Sequence, residues 1–555
     1  MHEALENRWG KVQVGPLFPD VLDEVQLVES LENTQMLIGH TGCVNTLRWN
    51  KSGTTLASGS DDRHVKLWRA GAERLDLETE HAGNVFAVEF LPGSEDRQLV
   101  TGAADHMIFL YDLETQQNQR WELEGRIKRI CTVEHVPSMF WAASERDGKV
   151  IQIDTRTGVP EAVVHEGPTN PSKAGVKSVA ISEAKPNLLA VGFEETAVRV
   201  YDRRRFDEPM MTFCPLDASP HTYYSTHVAF NKAGTEIVVN QGCGGGVVVF
   251  SLDANKNPRV MQRLNTLLDE PNEPIITIRQ LPHPHAREIG SNMIRAKQFY
   301  RVVDFYAGLI NLNDDDRAFR SVCYSNRATS LLLRKQKGDT YACIRDSVKS
   351  LEIHRGNSKA LFRLIKSFAS LEHKTLAKRC IDKFKEWYPG DVSIARVEGE
   401  VELLGPSEDP ELPDVEGVFD YQQRFLGTSN HQTDIKEANF FGSRDQFIVA
   451  GSDCGNMYVW NRDSETLMGI WKGDRHILNI VQPHPDAFLI ASSGIDDEIR
   501  LWSPMLERPE EFVTRKVVEP YDFIEQKGVI YNNSAGMQMH VMRDLVRGNP
   551  RCAQS

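Results

Sequence analysis

The chain has 555 residues, of which 40% are hydrophobic and 26% charged. It is longer than a domain built on a single hydrophobic core, so its length predicts about two to four domains. Its net charge of −14 disfavours direct binding to nucleic acid, and no apolar run approaches the roughly 20 residues that cross a bilayer. Nine cysteines without a CxxC pair indicate reduced thiols. Taken together, these features lead us to expect a cytoplasmic and nuclear protein with no metal, no cofactor and no membrane partner.

An N-terminal segment, residues 1 to 33, precedes the first regular pattern. Within it LFPDVLDEVQLVESLEN, residues 17 to 33, predicts a helix. The strand-like stretch TQMLIG follows at residues 34 to 39. From there a unit recurs, and in its first copy GHTGCVNTLRW, SGTTLASGS and HVKLW each predict a strand.

The repeated unit has a fixed period. Its third strand ends in a large apolar residue, at Trp68, Tyr111, Ile153, Tyr201, Phe250, Trp460 and Trp502. Neighbouring positions are 42 to 49 residues apart, except across one gap of 210. Apart from that gap, the steps fit the roughly 40 to 45 residue period of WD40 repeats, allowing for short insertions.

Five units lie before the gap, in residues 34 to 255, and two after it, in residues 426 to 505. Seven is within the usual number of propeller blades, whereas two separate pieces would leave sheet edges exposed. We therefore predict a mainly β fold with an α insert, a seven-bladed WD40 β-propeller interrupted between blades five and six. TQMLIG is expected to complete the last blade from the start of the chain.

The units resemble WD40 blades, in which a polar core links a His, a Ser or Thr, an Asp and a Trp. Such buried donors and acceptors must satisfy one another, so the matching residues are expected to be structural. In blades one, two and seven these are His40, Ser58, Asp62 and Trp68, then His81, Thr101, Asp105 and Tyr111, and then Ser492, Asp496 and Trp502.

The gap holds a helical pattern in residues 284 to 390, between predicted linkers at 256 to 283 and 391 to 425. YSNRATSLLLRKQKGDTYACIRDSVKSLEI resembles a tetratricopeptide repeat, a helix pair of about 34 residues. Related units at 287 to 310 and 359 to 389 make three, about the minimum for a stable superhelix with a groove. Residues 506 to 555 form a C-terminal tail.

Two adjacent blades end in IDTR, residues 153 to 156, and YDRR, residues 201 to 204. Both resemble the WDxR ending of substrate receptors of cullin-4 RING ubiquitin ligases. By position, the resemblance implies that Asp154, Arg156, Asp202 and Arg204 meet the adaptor of that ligase, the damage-specific DNA-binding protein. The planar guanidinium fork suits such an interface. The alternative is an ion pair within each blade, which contributes little on an exposed rim.

The helical groove carries a second motif. Lys359 and Arg363 are spaced i, i+4 and so lie on one helix face, and SKALFR resembles the third repeat of chaperone-binding carboxylate clamps. Asn326 matches the second repeat, while in the first Arg287 stands for the usual Lys and Ser291 for the usual Asn. Such a site would capture an acidic peptide tail. The alternative is a solvated helix face.

The whole arrangement resembles the adipose family of WD and tetratricopeptide repeat proteins. The most specific segments are FDYQQRFLG, residues 419 to 427, TDIKEANFFGS, residues 433 to 443, VQPHP, residues 481 to 485, and SGIDDEIRLWSP, residues 493 to 504. The resemblance implies a non-enzymatic substrate receptor of the cullin-4 ligase that restrains lipid storage. Its implied partners are substrate proteins and, through links to chromatin, histones or histone deacetylase.

Two other functions are alternatives to the ligase receptor. One is a co-chaperone or a chromatin and corepressor adaptor, which binds chaperone tails or histones through the helical groove or the propeller face without any ligase. The other is an enzyme, which the sequence disfavours because GxxxxGK[ST], HExxH and GxSxG motifs are absent.

Overall fold

The computed structural model describes residues 24–69, 72–146, 148–164, 175–215, 223–269, 284–312, 316–404, 417–505 and 513–533. Within these residues the strands form seven sheets, and each sheet is one blade of a propeller. The innermost strands of successive blades contact one another in chain order, and the innermost strand of blade seven contacts that of blade one. The blades therefore form a closed ring, and the predicted fold class is confirmed.

The first three blades each consist of four consecutive antiparallel strands. Blade one contains β2 (Val44–Trp49), β3 (Leu56–Ser60), β4 (His64–Arg69) and β5 (Ala72–Glu78). Blade two contains β6 (Val85–Phe90), β7 (Gln98–Ala103), β8 (Met107–Asp112) and β9 (Asn118–Glu122). Blade three contains β10 (Ile127–Thr132), β11 (Met139–Ser144), β12 (Lys149–Asp154) and β13 (Pro160–Val164).

Blades four and five take strands from both sides of the helical insert. Blade four contains β14 (Val176–Ile181), β15 (Leu188–Phe193), β16 (Val198–Asp202), β17 (Met211–Phe213) and β21 (Val418–Phe419), the last parallel to β17. Blade five contains β18 (Ser225–Phe230), β19 (Glu236–Gln241), β20 (Gly246–Ser251) and β22 (Gln423–Phe425). The insert therefore leaves and returns within blade five, one strand earlier than the position predicted between blades five and six.

Blades six and seven follow the insert. Blade six contains β23 (Ala438–Phe441), β24 (Phe447–Ala450), β25 (Asn456–Asn461) and β26 (Leu467–Lys472). Blade seven contains β27 (Leu478–Pro483), β28 (Ile490–Gly494), β29 (Glu498–Pro504) and, as its outer strand, β1 (Leu31–Ile38).

The ring is closed by strands from opposite ends of the chain. β1 pairs antiparallel with β29 from Leu31 opposite Pro504 to Ile38 opposite Glu498. The strand expected at residues 34 to 39 lies in β1, which starts three residues earlier and ends at Ile38. The indole nitrogen of Trp471 in blade six donates to the carbonyl of Leu31 at 2.8 Å. Helix α1 (Glu24–Glu29) precedes β1 and contacts β26 and β29. Of the helix predicted at 17 to 33, residues 17–23 lie outside the described residues, and the prediction is wrong for residues 31–33, which pair with β29 as part of β1.

The insert forms antiparallel helix hairpins, which we call the helical arm, residues 284–402. Its helices are α3 (Pro284–Arg295), α4 (Phe299–Leu312), α5 (Arg317–Arg334), α6 (Asp339–Ile353), α7 (Ser358–Ser370), α8 (Lys374–Trp387) and α9 (Ala395–Glu402). Another helix, α2 (Val260–Asp269), precedes the arm within the predicted linker 256 to 283. The predicted linker 391 to 425 likewise contains α9, β21 and β22. Ser321 and Ser350 join α5 to α6 through hydroxyls 2.9 Å apart.

The arm is bound to the propeller by a shared core and by ion pairs. Val248 of blade five, Leu264 of α2 and Ile344 of α6 are buried in one apolar cluster. The hydroxyl of Tyr341 donates to Asp420 at 2.9 Å, and Arg327 lies 3.5 Å from Glu465 of blade six. The arm is therefore packed against blades five and six.

The C-terminal tail covers the junction between the arm and blade six. Lys472 N donates to the carbonyl of Arg515 at 2.9 Å and Val517 N to that of Ile470 at 2.8 Å, which extends blade six by a short strand-like segment. Helix α10 (Pro520–Asn533) then contacts α4 of the arm. The rest of the predicted tail, 506–512 and 534–555, lies outside the described residues. None of the helices that the structure describes is long and apolar enough to cross a bilayer.

Replacing Leu37 with Ala in β1 should lower the free energy of unfolding by about 2–5 kcal/mol, because it leaves a cavity among the side chains where blade seven meets blade one. Leu37 is 2% exposed, whereas its neighbour Ile38 is 65% exposed, so the matched Ile38→Ala variant should change stability by less than about 0.5 kcal/mol. Guanidinium unfolding followed by tryptophan fluorescence measures both. Equal effects of the two substitutions would contradict the placement of β1.

Asp304 makes the junction sensitive to pH. Its carboxylate accepts hydrogen bonds from Leu467 N of blade six at 2.8 Å and from the hydroxyl of Tyr521 in α10 at 3.0 Å. Burial raises the pKa of Asp304 to about 6, although these hydrogen bonds and the nearby Arg334 and Arg327 favour the charged form. Because this folded-state pKa lies above the ordinary value of 3.8, stability should rise as the pH falls from about 7 towards 4.

Asp304→Asn retains an acceptor and removes the charge. At pH 7.5 the free energy of unfolding of this variant should therefore be about 2–3 kcal/mol higher than that of the native chain, and the difference should vanish near pH 4. Thermal unfolding of both proteins across this range, compared pairwise to remove the titration of other groups, measures the effect. Parallel pH profiles for the two proteins would refute this role for Asp304.

Candidate protein-binding sites

The polar core of blade one is formed as the repeat pattern indicates. His40 Nδ1 lies 2.9 Å from Asp62 Oδ2 and its Nε2 lies 2.8 Å from Ser58 Oγ. The indole of Trp68 donates to the same Ser58 hydroxyl at 2.9 Å. Burial raises the pKa of Asp62, but the contacts with His40 outweigh burial and hold this pKa well below its ordinary value. The four residues therefore satisfy one another's hydrogen-bonding groups within the blade.

Blades two and seven depart from this pattern in different ways. His81 joins Thr101 at 2.8 Å and Asp105 at 3.1 Å, but the hydroxyl of Tyr111 instead accepts from the backbone N–H of Glu80. In blade seven Trp502 donates to Ser492 at 2.8 Å. Asp496 has no histidine partner there and pairs at 3.2 Å with Arg500, a buried residue that the sequence pattern did not single out.

The two rim arginines have the same geometry. Arg156 donates from Nε and Nη2 to the two carboxylate oxygens of Asp154 at 3.0 and 2.6 Å. Arg204 does the same with Asp202 at 2.9 and 2.5 Å. In each pair the backbone N–H of the arginine also donates to its aspartate at 3.0 Å. The ion pair within each blade, which the sequence offered as the alternative, is thus present in both blades.

The pairing leaves the outer part of each guanidinium available to a partner. The side chains of Arg156 and Arg204 are 72% and 70% exposed. The hydrogen bonds from these arginines lower the pKa of Asp154 and of Asp202 to about 2, so both carboxylates stay charged at neutral pH. Asp154 and Asp202 end the third strands of adjacent blades, which places both arginines on the same face of the ring.

The second candidate site lies on the helical arm, where the half-buried guanidinium of Arg363 has no carboxylate partner among the described residues. Arg363 of α7 donates to the hydroxyl of Ser325 at 2.8 Å and also to that of Thr329, both on α5. Burial lowers the pKa of Arg363 to about 10, which still leaves it protonated at neutral pH.

The other residues predicted for this site lie around Arg363. The Lys359 side chain as a whole is exposed. Partial burial of its ammonium group is the largest cause that lowers its pKa, and repulsion from Arg363 and Arg287 lowers this pKa further. Asn326 donates to the hydroxyl of Tyr306 at 3.2 Å, and Tyr306 lies against α3 where Gly290 has no Cβ that would meet it. Ser291 makes no side-chain hydrogen bond within the described part of the chain. The structure therefore brings four of the five predicted residues into one cationic cluster.

A segment between blades five and six binds residues on the innermost strands of two other blades. Asp434, from the loop between blades five and six, lies 3.1 Å from Lys128 of blade three and 2.8 Å from Lys177 of blade four. Burial raises the pKa of Asp434, but the two lysines outweigh it and keep the carboxylate charged. On the same strand, Arg129 bonds both Glu437 and His227. These charges join blades three to six.

Among the residues that the structure describes, no group of three or more His, Cys, Asp or Glu side chains could hold a metal ion. The two candidate sites are an exposed arginine pair on the propeller rim and a cationic cluster on the arm. Together with the ring, they define a WD-repeat scaffold protein.

Comparison with known proteins places this scaffold in a family. The family model for the WD domain, G-beta repeat, matches residues 31–69. WD and tetratricopeptide repeats protein 1 of Mus musculus and of Homo sapiens are each 30% identical to this chain, over 88% of this chain and 87% of their own length. The chain therefore belongs to the family of WD and tetratricopeptide repeats proteins.

Two further relatives are similar over different lengths. Protein ALTERED SEED GERMINATION 2 of Arabidopsis thaliana is 24% identical over 90% of this chain and 91% of its own. DDB1- and CUL4-associated factor 6 of Homo sapiens is 31% identical over 39% of this chain and 27% of its own.

Proposed function

We propose that this protein is a non-enzymatic substrate receptor of a cullin-4 RING ubiquitin ligase. The observation that carries the proposal is the pair of rim arginines, which repeat one geometry in two adjacent blades. The similarity to DDB1- and CUL4-associated factor 6 of Homo sapiens supports the same assignment. The adaptor in this proposal is the damage-specific DNA-binding protein.

The geometry suits a docking role better than a purely structural one. An exposed Asp–Arg pair contributes little to folding, because solvent screens it and ordering the side chains costs entropy. As a docking element the same pair is preorganised, since each aspartate fixes one edge of the guanidinium and leaves Nη1 for an acceptor on the partner. Arginines with this preorganisation are frequent among the residues that dominate binding energy.

The proposed receptor acts in the cytoplasm and nucleus and restrains lipid storage, the role that the family resemblance implies. The propeller and the arm would supply the surfaces for substrate proteins. Histones and histone deacetylase are candidates for such partners through the same resemblance.

Replacing Arg156 or Arg204 with Ala should each weaken binding of the purified adaptor about tenfold, and the double variant should lose detectable binding. Biolayer interferometry with the full-length chain measures this. Asp154→Ala with Asp202→Ala should give an intermediate loss, because the arginines remain but are no longer oriented.

Arg205→Ala is the matched control. Arg205 is next to Arg204 in the chain, and its side chain is 75% exposed, but it lies outside the motif. This variant should bind the adaptor with an affinity within about twofold of that of the native protein. All variants should unfold at the temperature of the native protein. Native affinity in the Arg156→Ala, Arg204→Ala double variant, or no adaptor binding by the native chain, would refute the proposal.

A further inference from the structure

Residues 513–527, which we call the C-terminal clasp, join three parts of the molecule without belonging to any of the seven sheets that the structure describes. The first half of the clasp lies along the outer strand of blade six, where Lys516 forms an antiparallel bridge with Trp471. The second half is the beginning of α10, which lies against α4 of the arm. Blade six is complete without the clasp, because β23 to β26 already give it four strands.

Polar contacts near the surface hold much of the clasp. The hydroxyl of Thr514 donates to the carboxylate of Glu32 in β1 at 2.6 Å. On the arm, the guanidinium of Arg301 lies 3.2 Å from the carboxylate of Glu519 and 3.5 Å from that of Asp522. Both of these acidic residues are exposed, so solvent screens the ion pairs and each contributes little to holding the clasp in place.

One buried side chain anchors the clasp. Among residues 513–527, all of which the structure describes, Ile524 alone is buried, in the same apolar cluster as Phe425 of blade five. Val513 and Val518 are exposed. Segments with few buried apolar contacts open at free energies well below that of global unfolding. The clasp can therefore leave its site while the ring of blades stays closed.

The clasp binds blade six in the way that a peptide binds the edge of a sheet. Lys472 N donates to the carbonyl of Arg515 at 2.9 Å, and Val517 N donates to the carbonyl of Ile470 at 2.8 Å. An extended segment added to a sheet edge makes hydrogen bonds of this kind through its main chain. Without the clasp these groups of β26 would be unpaired, and an unpaired edge strand readily accepts a segment of another chain.

The second half of the clasp borders a cavity between the arm and blades five and six. The cavity has a volume of about 380 Å³, and Tyr521 and Ile524 form part of its wall. Asp304 of α4 also lines this cavity and accepts a hydrogen bond from the hydroxyl of Tyr521 at 3.0 Å. The clasp thus leaves space beside its anchor, and a segment that replaced it would find both a polar acceptor and room for an apolar side chain.

We propose that the clasp occupies, in cis, a peptide-binding site for a partner protein, and that a partner segment of the same chemistry displaces it. The first half of such a segment is extended, to pair with β26, and carries a hydroxyl or a cation for Glu32. Its second half is helical, with an acidic residue for Arg301, a tyrosine for Asp304 and an apolar anchor in the place of Ile524. The site goes beyond the proposed docking of the ligase adaptor, since it lies on blade six and the arm and not on the rim of blades three and four.

The test uses the full-length chain and a fluorescein-labelled peptide with the sequence of residues 513–527. The native chain should bind this peptide weakly, because the tethered clasp competes at a high effective concentration. Ile524→Asp places a charge at the buried anchor and should release the clasp. Fluorescence anisotropy should therefore show at least tenfold tighter binding of the peptide by this variant. A peptide that carries the same substitution should not bind.

Gln526→Asp is the matched control, because it adds the same charge to the same helix at an exposed position. This variant should bind the peptide as weakly as the native chain does. Glu519→Lys combined with Asp522→Lys is a second way to release the clasp, since it sets two cations against Arg301. Both substitutions are at exposed positions, so the double variant should fold, and it should also bind the peptide more tightly than the native chain.

Hydrogen–deuterium exchange shows whether the release is local. In Ile524→Asp the amides of residues 513–527 and of Lys472 should exchange faster than in the native chain, whereas those of β28 and β29 should keep their native rates.

The same peptide affinity in the native chain and in both release variants would overturn the proposal. So would faster exchange of β28 and β29 together with the clasp, because the clasp would then be part of the folded core. A native chain that forms dimers, which Ile524→Asp dissociates, would replace the partner protein by the clasp of a second copy and so contradict the proposal.

Discussion

The pairing of β1 with β29 is the constraint on which the rest of the structure depends. It joins residues 31–38 to residues 498–504, so the last sheet is complete only when both ends of the chain are in place. The ion pairs of Asp434 serve the same purpose, because Asp434, which follows the insert, binds Lys128 and Lys177, which precede it. Each contact holds together residues that are several hundred positions apart in the chain. Without these contacts, the helical arm would separate the propeller into two open pieces.

The closed ring and its insert carry two separate groups of cationic residues. The rim arginines belong to blades three and four, which are complete before the insert apart from the two-residue strand β21. The cationic cluster belongs to the arm, which leaves the ring from blade five and packs its other side against blades five and six. The rim arginines and the cationic cluster therefore lie on different parts of the molecule.

The sequence predicted what depends on local spacing. The propeller, the helical arm and the polar core around Trp68 follow from repeats and helical periods that a short window contains. The exit and return of the chain within blade five could not be predicted, because the three residues of β22 become a strand only by pairing with β20. Likewise helical spacing put Lys359 and Arg363 on one face, but only the packing of α5 against α7 shows that Arg363 binds Ser325. Local spacing also gives no sign of the buried ion pair of Lys436 and Asp453, whose charged atoms are 2.7 Å apart.

Hydrogen–deuterium exchange of residues 31–38 in the intact protein tests the central claim most directly. If β1 is the outer strand of blade seven, the amides that bond to β29 should exchange as slowly as those of β28 and β29 themselves. Exchange of this segment at the rate of an unstructured peptide, with blades one to five still protected, would show that the ring is not closed from the start of the chain.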